Sequence, residues 1–211
     1  MALVVKESGG KQREYTPVPA GTHAARCVGL FDLGRQETSW KGQAKVQNKI
    51  ILQFELVNEM LTLNTEDGPK EVPHVISREF TATLSPMGTL RPLLESWRGR
   101  PFTAEELSGF SMGNVVGKAC LITVQHETKE DRTYSNLVNI TAPMKGMNIQ
   151  EASIAPKVFD MDEIDYDVLG NLPKWIQEKV RKSIDFPKTS PAPVAAEAPK
   201  APVVEEDDLP F

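Results

Sequence analysis

One amphipathic helix is predicted among strand-like segments, and its position constrains the fold more than any other feature. Between Pro86 and Trp97 the large apolar residues recur at the spacing of a single helix face, and Gly99 follows as a stop. The stripe consists of Leu90, Leu93, Leu94 and Trp97. A capping box from Thr103 to Glu106 then predicts a further short helical turn.

Five segments have the composition of β-strands, three before this helix and two after it. They are residues 21–33, 48–57, 72–84, 117–125 and 133–141. The second alternates most regularly, with one row of Ile50, Leu52, Phe54 and Leu56 and an opposite row of Lys49, Ile51, Gln53 and Glu55. Gly29, inside the first segment, predicts a bulge or a bend. Residues 35–46 are predicted as a polar loop and residues 58–70 as a hairpin loop.

The resulting order, β-β-β-α-β-β, is that of the OB-fold, a five-stranded Greek-key barrel. An SH3-like barrel would lack the inserted helix. A ferredoxin-like unit would need a helix after the first strand, where this chain has a polar loop. We therefore predict a mainly β protein with an OB barrel over residues 20–146 and its helix between strands 3 and 4.

The ends of the chain read differently from this central part. Residues 1–19 are predicted to form a flexible N-terminal arm. Residues 147–186 are predicted as an acidic linker followed by a C-terminal helix with a stripe of Ile176, Val180 and Ile184. This helix docks on the barrel or mediates self-association, and docking is favoured. Residues 187–211 are rich in Pro and Ala, which predicts a disordered tail with an acidic tip.

Charge is distributed unevenly along the chain. The net charge is −5, yet residues 1–150 hold 17 basic and 16 acidic residues, whereas residues 151–211 hold 7 and 13. The acidity therefore belongs to the C-terminal part, and the predicted barrel is nearly neutral. Acidic ends of this kind are often interaction elements.

Several classes of function are disfavoured by the motifs. Cys27 and Cys120 lie in strand-like runs with no CxxC spacing, which predicts buried reduced thiols. The segment 113–118 lacks the glycine spacing and the hydroxyl of a phosphate-binding loop. The acidic run 160–167 lacks the glycine of a calcium loop. We expect no enzymatic activity, no metal and no cofactor. Neither a signal peptide nor a membrane span is recognisable, so a cytoplasmic location is expected.

A nucleic-acid site is the remaining chemistry that the predicted barrel supports. An OB-fold binds oligonucleotides on the face of strands 2 and 3 and on two flanking loops, where cations meet phosphates and aromatic rings stack on bases. The residues predicted to contact single-stranded DNA are Arg35, Trp40, Lys41, Lys45, Lys49, Gln53, Arg78, Phe80, Arg132 and Tyr134. A solvated surface charge is the alternative for each cation, and core packing is the alternative for Phe80. Trp40, in a polar loop, is the strongest candidate.

Two parts of the sequence resemble known families. The tip, Asp207, Asp208, Leu209, Pro210 and Phe211, resembles the C-terminal tip of bacterial single-stranded DNA-binding proteins. That resemblance implies docking to replication and repair proteins, with the Phe ring in an apolar hole and its carboxylate against a basic residue. Residues 15–145 resemble bacteriophage single-stranded DNA-binding proteins of the OB-fold type, and residues 94–102 (LESWRGRPF) are the most distinctive part.

These observations lead to one functional expectation. The protein is expected to bind and protect single-stranded DNA without sequence preference in phage replication or recombination, while the tip recruits replication or repair proteins. A protein-interaction adaptor and a strand-annealing accessory protein are the alternatives. Self-association is left open.

Overall fold

A computed structural model describes residues 16–40, 42–65, 68–130 and 132–187 of the chain. The strands are β1 (Gly21–Trp40), β2 (Gln43–Thr65), β3 (Gly68–Thr81), β4 (Ala119–Lys129), β5 (Arg132–Thr141) and β6 (Lys157–Phe159). The helices are α1 (Leu90–Arg98), α2 (Ala104–Ser108), α3 (Tyr166–Gly170) and α4 (Lys174–Arg181), with a 3₁₀ turn at Met112–Val115.

The five long strands form one curled antiparallel sheet, a half-barrel with the order β3-β2-β1-β4-β5. The short strand β6 pairs with β1 in parallel. The two end strands approach each other, as one hydrogen bond shows. Nη1 of Arg78 in β3 donates to the carbonyl of Leu137 in β5 at 2.7 Å. The predicted mainly β class, with few helices and α1 between the third and fourth strands, is confirmed.

The inner core lies between the concave side of the sheet and α1. The four residues of the predicted helix stripe are buried, and so is the β2 row of Ile50, Leu52, Phe54 and Leu56, which forms the inner row of this strand. Trp97 packs on Phe54 with 5.6 Å between ring centroids and donates from Nε1 to the carbonyl of Ala119 at 2.8 Å. Gly99 ends α1 in the left-handed region, at φ 69°, which a glycine adopts without strain. The bulge at Gly29 is also present, as a shift of register between Cys27 and Gly29.

The residues of segment 94–102 form ion pairs and a contact between a cation and an aromatic ring. Arg98 and Arg100 both bind Glu106, and the hydrogen bond from Arg100 is the main reason that the pKa of Glu106 falls to about 2. The Arg98 guanidinium carbon also lies 4.2 Å from the centroid of the Phe102 ring. The predicted capping box from Thr103 to Glu106 is present. These contacts fix the connection between α1 and α2.

The two loops expected on either side of β2 are in fact paired strands, so these predictions are wrong. Cross-strand pairs run without interruption from Arg35–Asn48 to Trp40–Gln43, and from Met60–Pro73 to Thr65–Gly68. Both hairpins are largely exposed. A strand with no buried face shows no alternation of apolar and polar residues, and its polar sequence therefore resembles a loop.

The segment before α4 is packed, in contrast to the expected acidic linker. A second, outer core joins the convex side of β1 and β2 to β6, α3 and α4. Its residues are Phe31, Leu33, Ile51, Phe159, Met161, Leu169, Leu172, Ile176 and Val180. The helix α4 thus packs on the sheet, which is the docking alternative. The acidic side chains have local roles, since Asp165 caps α3 and Asp160 accepts a hydrogen bond from the backbone N–H of Asp162.

A pair of opposite charges holds this C-terminal segment on the sheet. Arg26 and Glu55 face each other across β1 and β2. Arg26 donates to the carbonyls of Ile149 and Gln150 at 2.8 and 2.6 Å. Glu55 accepts from the N–H and hydroxyl of Ser153 at 2.8 and 2.9 Å, and from the N–H of Ile154 at 2.7 Å. We call this arrangement the Arg26–Glu55 clamp.

The remaining expectations concern the ends and the cysteines. Val18, inside the expected N-terminal arm, is buried, and its carbonyl accepts from His126 Nε2 at 2.8 Å. Residues 1–15 and 188–211 lie outside the described ranges. Cys27 and Cys120 are free and buried, as predicted, and burial raises the pKa of Cys27 to about 12. None of the helices in the described ranges is long and apolar enough to cross a membrane.

Candidate nucleic-acid interface

The outer face of β2 and β3 carries polar pairs where the outer core does not cover it. Lys49 Nζ donates to Thr81 Oγ1 at 3.0 Å and lies 3.9 Å from Glu79 Oε1. Gln53 Nε2 donates to Ser77 Oγ at 3.2 Å. The alternation of β2 predicts this outward direction for Lys49 and Gln53. Both side chains are partly buried and already have neighbours to which they donate.

A cleft separates the two end strands of the sheet. It has a volume of about 490 Å³ and is lined by residues 77–79 of β3 and residues 135–138 of β5. We call it the seam cleft. Its lining mixes hydroxyl, amide, carboxylate and guanidinium groups with the side chains of Leu137 and Val138.

Arg78 spans this cleft instead of pointing outward. It follows the inward row of β3, and its guanidinium carbon lies 5.0 Å from the centroid of the Phe80 ring. Nη1 donates to the carbonyls of Leu137 and Val138 at 2.7 and 3.3 Å. Burial lowers the pKa of the Arg78 guanidinium, which nevertheless stays charged near neutral pH. Arg78 therefore brings a positive charge to the floor of the cleft.

Phe80 belongs to the inner core. It is only 2% exposed and stands opposite Ile50 in the inward row of β2. Its ring therefore has no face free for a base, and core packing is the reading that its position supports. The sequence alone did not decide this, because a strand with polar residues on both faces leaves the inward row ambiguous.

Arg35 and Lys45, two of the predicted contact residues, belong to the β1–β2 hairpin and are not among the residues that line the seam cleft. Arg35 binds Asp185 through Nε and Nη2 at 2.7 and 2.6 Å, and its hydrogen bond lowers the pKa of that carboxyl group. Lys45 is exposed on the hairpin. Trp40 ends β1 opposite Gln43, but its side chain and the whole of Lys41 lie outside the described part of the chain.

Arg132 and Tyr134 lie on the outer face of β5. Tyr134 is 43% exposed and stands opposite Glu127, while Arg132 stands opposite Lys129. The alternation of β5 places Asn136, at the cleft, on the same face as Tyr134. Arg132 and Tyr134 thus precede the cleft-lining residues 135–138 on β5. Lys49 and Gln53, on β2, lie beside the cleft-lining residues Glu79 and Ser77 of β3.

Four polar residues that line the seam cleft were missed by the sequence reasoning: Ser77, Glu79, Ser135 and Asn136. Ser77, Glu79 and Asn136 alternate with inward side chains, and this period is the signal that would place them outward. That they share one cleft depends on the curling of the sheet, which no local pattern contains. Among the described residues, no group of three or more His, Cys, Asp or Glu side chains is arranged to hold a metal ion.

Comparison with models of known protein families gives no match, and comparison with curated proteins gives no significant match. The function of the chain is therefore inferred from its sequence and its geometry.

Proposed function

We propose that the chain binds single-stranded DNA without sequence preference, on an OB-fold. The sheet order β3-β2-β1-β4-β5, with β3 approaching β5 at Arg78, supports that fold, as does the position of α1 between β3 and β4. In OB-folds the face of strands 2 and 3 and the loops between strands 1–2 and 4–5 bind oligonucleotides. The seam cleft adjoins that face.

The observation that carries the proposal is the composition of the seam cleft and of the neighbouring side chains on β2 and β5. Arg78, Lys49 and Arg132 supply positive charge for phosphates. Tyr134 offers an exposed ring, and stacking on a ring tolerates any base. Ser77 and Asn136 add hydroxyl and amide groups for the polar edges of bases. An unpaired strand offers phosphates and free base faces together, and it is the ligand that these groups fit best.

The remaining parts of the proposal rest on the sequence. The tip Asp207–Phe211, outside the described ranges, recruits replication or repair proteins, as its resemblance to bacterial single-stranded DNA-binding proteins implies. The resemblance of residues 15–145 supports a role in phage DNA replication or recombination, in the host cytoplasm. The activity is binding and protection of the strand, and not catalysis.

Fluorescence anisotropy with labelled oligo-dT tests the proposal. Binding is expected for oligo-dT and for mixed single strands, with weaker binding to duplex. The log–log salt slope should be about −0.7 for each phosphate contact. Tyr134→Ala should lower affinity about five-fold or more, since stacking contributes roughly 1–3 kcal/mol per base.

Tyr166→Ala is the matched control, because Tyr166 has the same 43% exposure as Tyr134 but lies on α3. Its affinity should equal that of the unmodified protein. If oligo-dT does not bind at low salt, the proposal is wrong and the adaptor alternative gains support. If both tyrosine variants lose affinity equally, the seam cleft is not the site.

A further inference from the structure

An exposed aromatic ring and an exposed lysine occupy one stripe of α4. The opposite face of this helix is fully used, since Ile176 and Val180 are completely buried in the outer core. Trp175 is nevertheless 45% exposed and the Lys179 side chain 44% exposed. They are four residues apart and therefore neighbours on the helix surface. Lys179 Nζ lies 5.9 Å from the centroid of the Trp175 ring.

This stripe is continuous with the seam cleft. Lys179 Nζ binds the carboxylate of Glu79, which lines the cleft and also lies 3.9 Å from Nζ of Lys49. Direct contacts thus lead from the cleft through Glu79 and Lys179 to the ring of Trp175. Glu79 is shared by two lysines, one from β2 and one from α4.

The charge and shape of α4 suit a polyanion with planar groups. Residues 174–182 contain four basic residues and one carboxylate, although the C-terminal part as a whole is acidic. Packing does not require an indole at position 175, because the buried face of the helix is complete without it. A ring beside a cation provides base stacking and phosphate neutralisation in one place.

We propose that Trp175 and Lys179 form a second contact site for single-stranded DNA, so that the bound strand continues from the seam cleft onto α4. The C-terminal segment is then part of the binding surface and not only a connection to the tail. This inference rests on the proposed function and extends the site that it describes.

Intrinsic fluorescence tests the contact directly. The chain has three tryptophans, of which Trp97 is buried in the inner core. In Trp40→Phe, the signal that responds to a ligand therefore comes from Trp175. Adding oligo-dT should quench this signal, and the quenching should vanish in the double variant Trp40→Phe, Trp175→Phe. Anisotropy measures whether Trp40→Phe itself binds oligo-dT. If it does, and its tryptophan fluorescence nevertheless stays constant, the inference is wrong.

Affinity over a series of oligo-dT lengths gives a second readout. Trp175→Ala should lower the affinity for long oligonucleotides about five-fold or more, and should lower the affinity for the shortest bound ones less. Lys179→Gln should reduce the salt slope by about 0.7. Lys118→Gln, a change at an exposed lysine before β4, is the control and should leave affinity and slope unchanged.

The outcomes separate this inference from the proposed function. If the unmodified protein binds no oligo-dT, the proposed function fails. If it binds, but Trp175→Ala and Lys179→Gln behave as the control does at every length, only the second contact site is refuted. A changed sedimentation coefficient in Trp175→Ala with unchanged DNA affinity would also refute it, and would assign the stripe to protein contacts.

Discussion

Replacing Glu55 tests how the C-terminal segment is held on the sheet. The side chain is 2% exposed, and its two oxygens accept two backbone N–H groups and one hydroxyl from Ser153 and Ile154. Glu55→Ala leaves all three donors without their partner. At about 1 kcal/mol for each donor, the unfolding free energy should fall by about 3 kcal/mol.

Two effects keep this loss of unfolding free energy near the lower end of the range expected for removing a buried charge. Removing the carboxylate also removes the cost of its own desolvation. Arg26, its partner across the strands, keeps its hydrogen bonds to Ile149 and Gln150 and its ion pair with Glu151 at 2.8 Å. Half of the Arg26–Glu55 clamp therefore survives, and the segment should loosen without detaching.

Urea denaturation and native-state hydrogen exchange measure the two consequences. In Glu55→Ala the unfolding midpoint should fall. The amide protons of Ser153 and Ile154 should exchange faster than in the unmodified protein, and this acceleration should be larger than that of the β2 amide protons. Glu55→Gln, which keeps one acceptor oxygen, should lose about half as much stability. Glu71→Ala, a change at an exposed glutamate of β3, should stay within about 0.5 kcal/mol of the unmodified protein.

The reasoning fails if Glu55→Ala matches Glu71→Ala in stability and leaves the exchange of Ile154 unchanged. That result would mean that the outer core alone fixes the segment, with no contribution from the Arg26–Glu55 clamp.

Three further predictions follow from the packing and the ionised groups. Gly29→Ala should destabilise the protein by about 1–3 kcal/mol in urea, because a Cβ there would lie 2.5 Å from the Phe31 ring. The folded-state pKa of Glu106 is depressed to about 2, so the ionised side chain stabilises the folded protein above pH 4.5, and this stabilisation is lost as the pH falls from 4.5 to about 2. In a plot of thermal midpoint against pH, Glu106→Gln should flatten the part between these two values. The two buried thiols should react with a thiol reagent only at the rate of unfolding, because burial raises their pKa values.

Regular periods in the sequence predicted the elements that have one buried face. The inner row of β2 and the stripe of α1 follow directly from alternation and from helical spacing. The paired hairpins were missed because neither face of their strands is buried, so no apolar period marks them in the sequence. The outer core was missed because Phe159, Met161 and Leu169 are scattered through an acidic, irregular stretch with no period.

The site was predictable only where it depends on local alternation. Lys49 and Gln53 point outward as the pattern of β2 indicates. The seam cleft itself needed the tertiary structure, because residues 77–79 and 135–138 are far apart in sequence and meet only when the sheet curls. Arg78 illustrates the limit, since a cation on an inward row is expected outward until its hydrogen bonds to β5 are seen.

Regional net charge was also too coarse a guide to the interface. Residues 151–173 hold one basic and six acidic residues, whereas residues 174–182 hold four basic and one acidic. The outer core covers the convex side of β1 and β2 and so leaves β3, β5 and the seam cleft for a ligand. The same packing brings the basic helix α4 against Glu79 at the edge of that cleft. An acidic C-terminal part thus contributes a basic helix, α4, to the surface where a polyanion is proposed to bind.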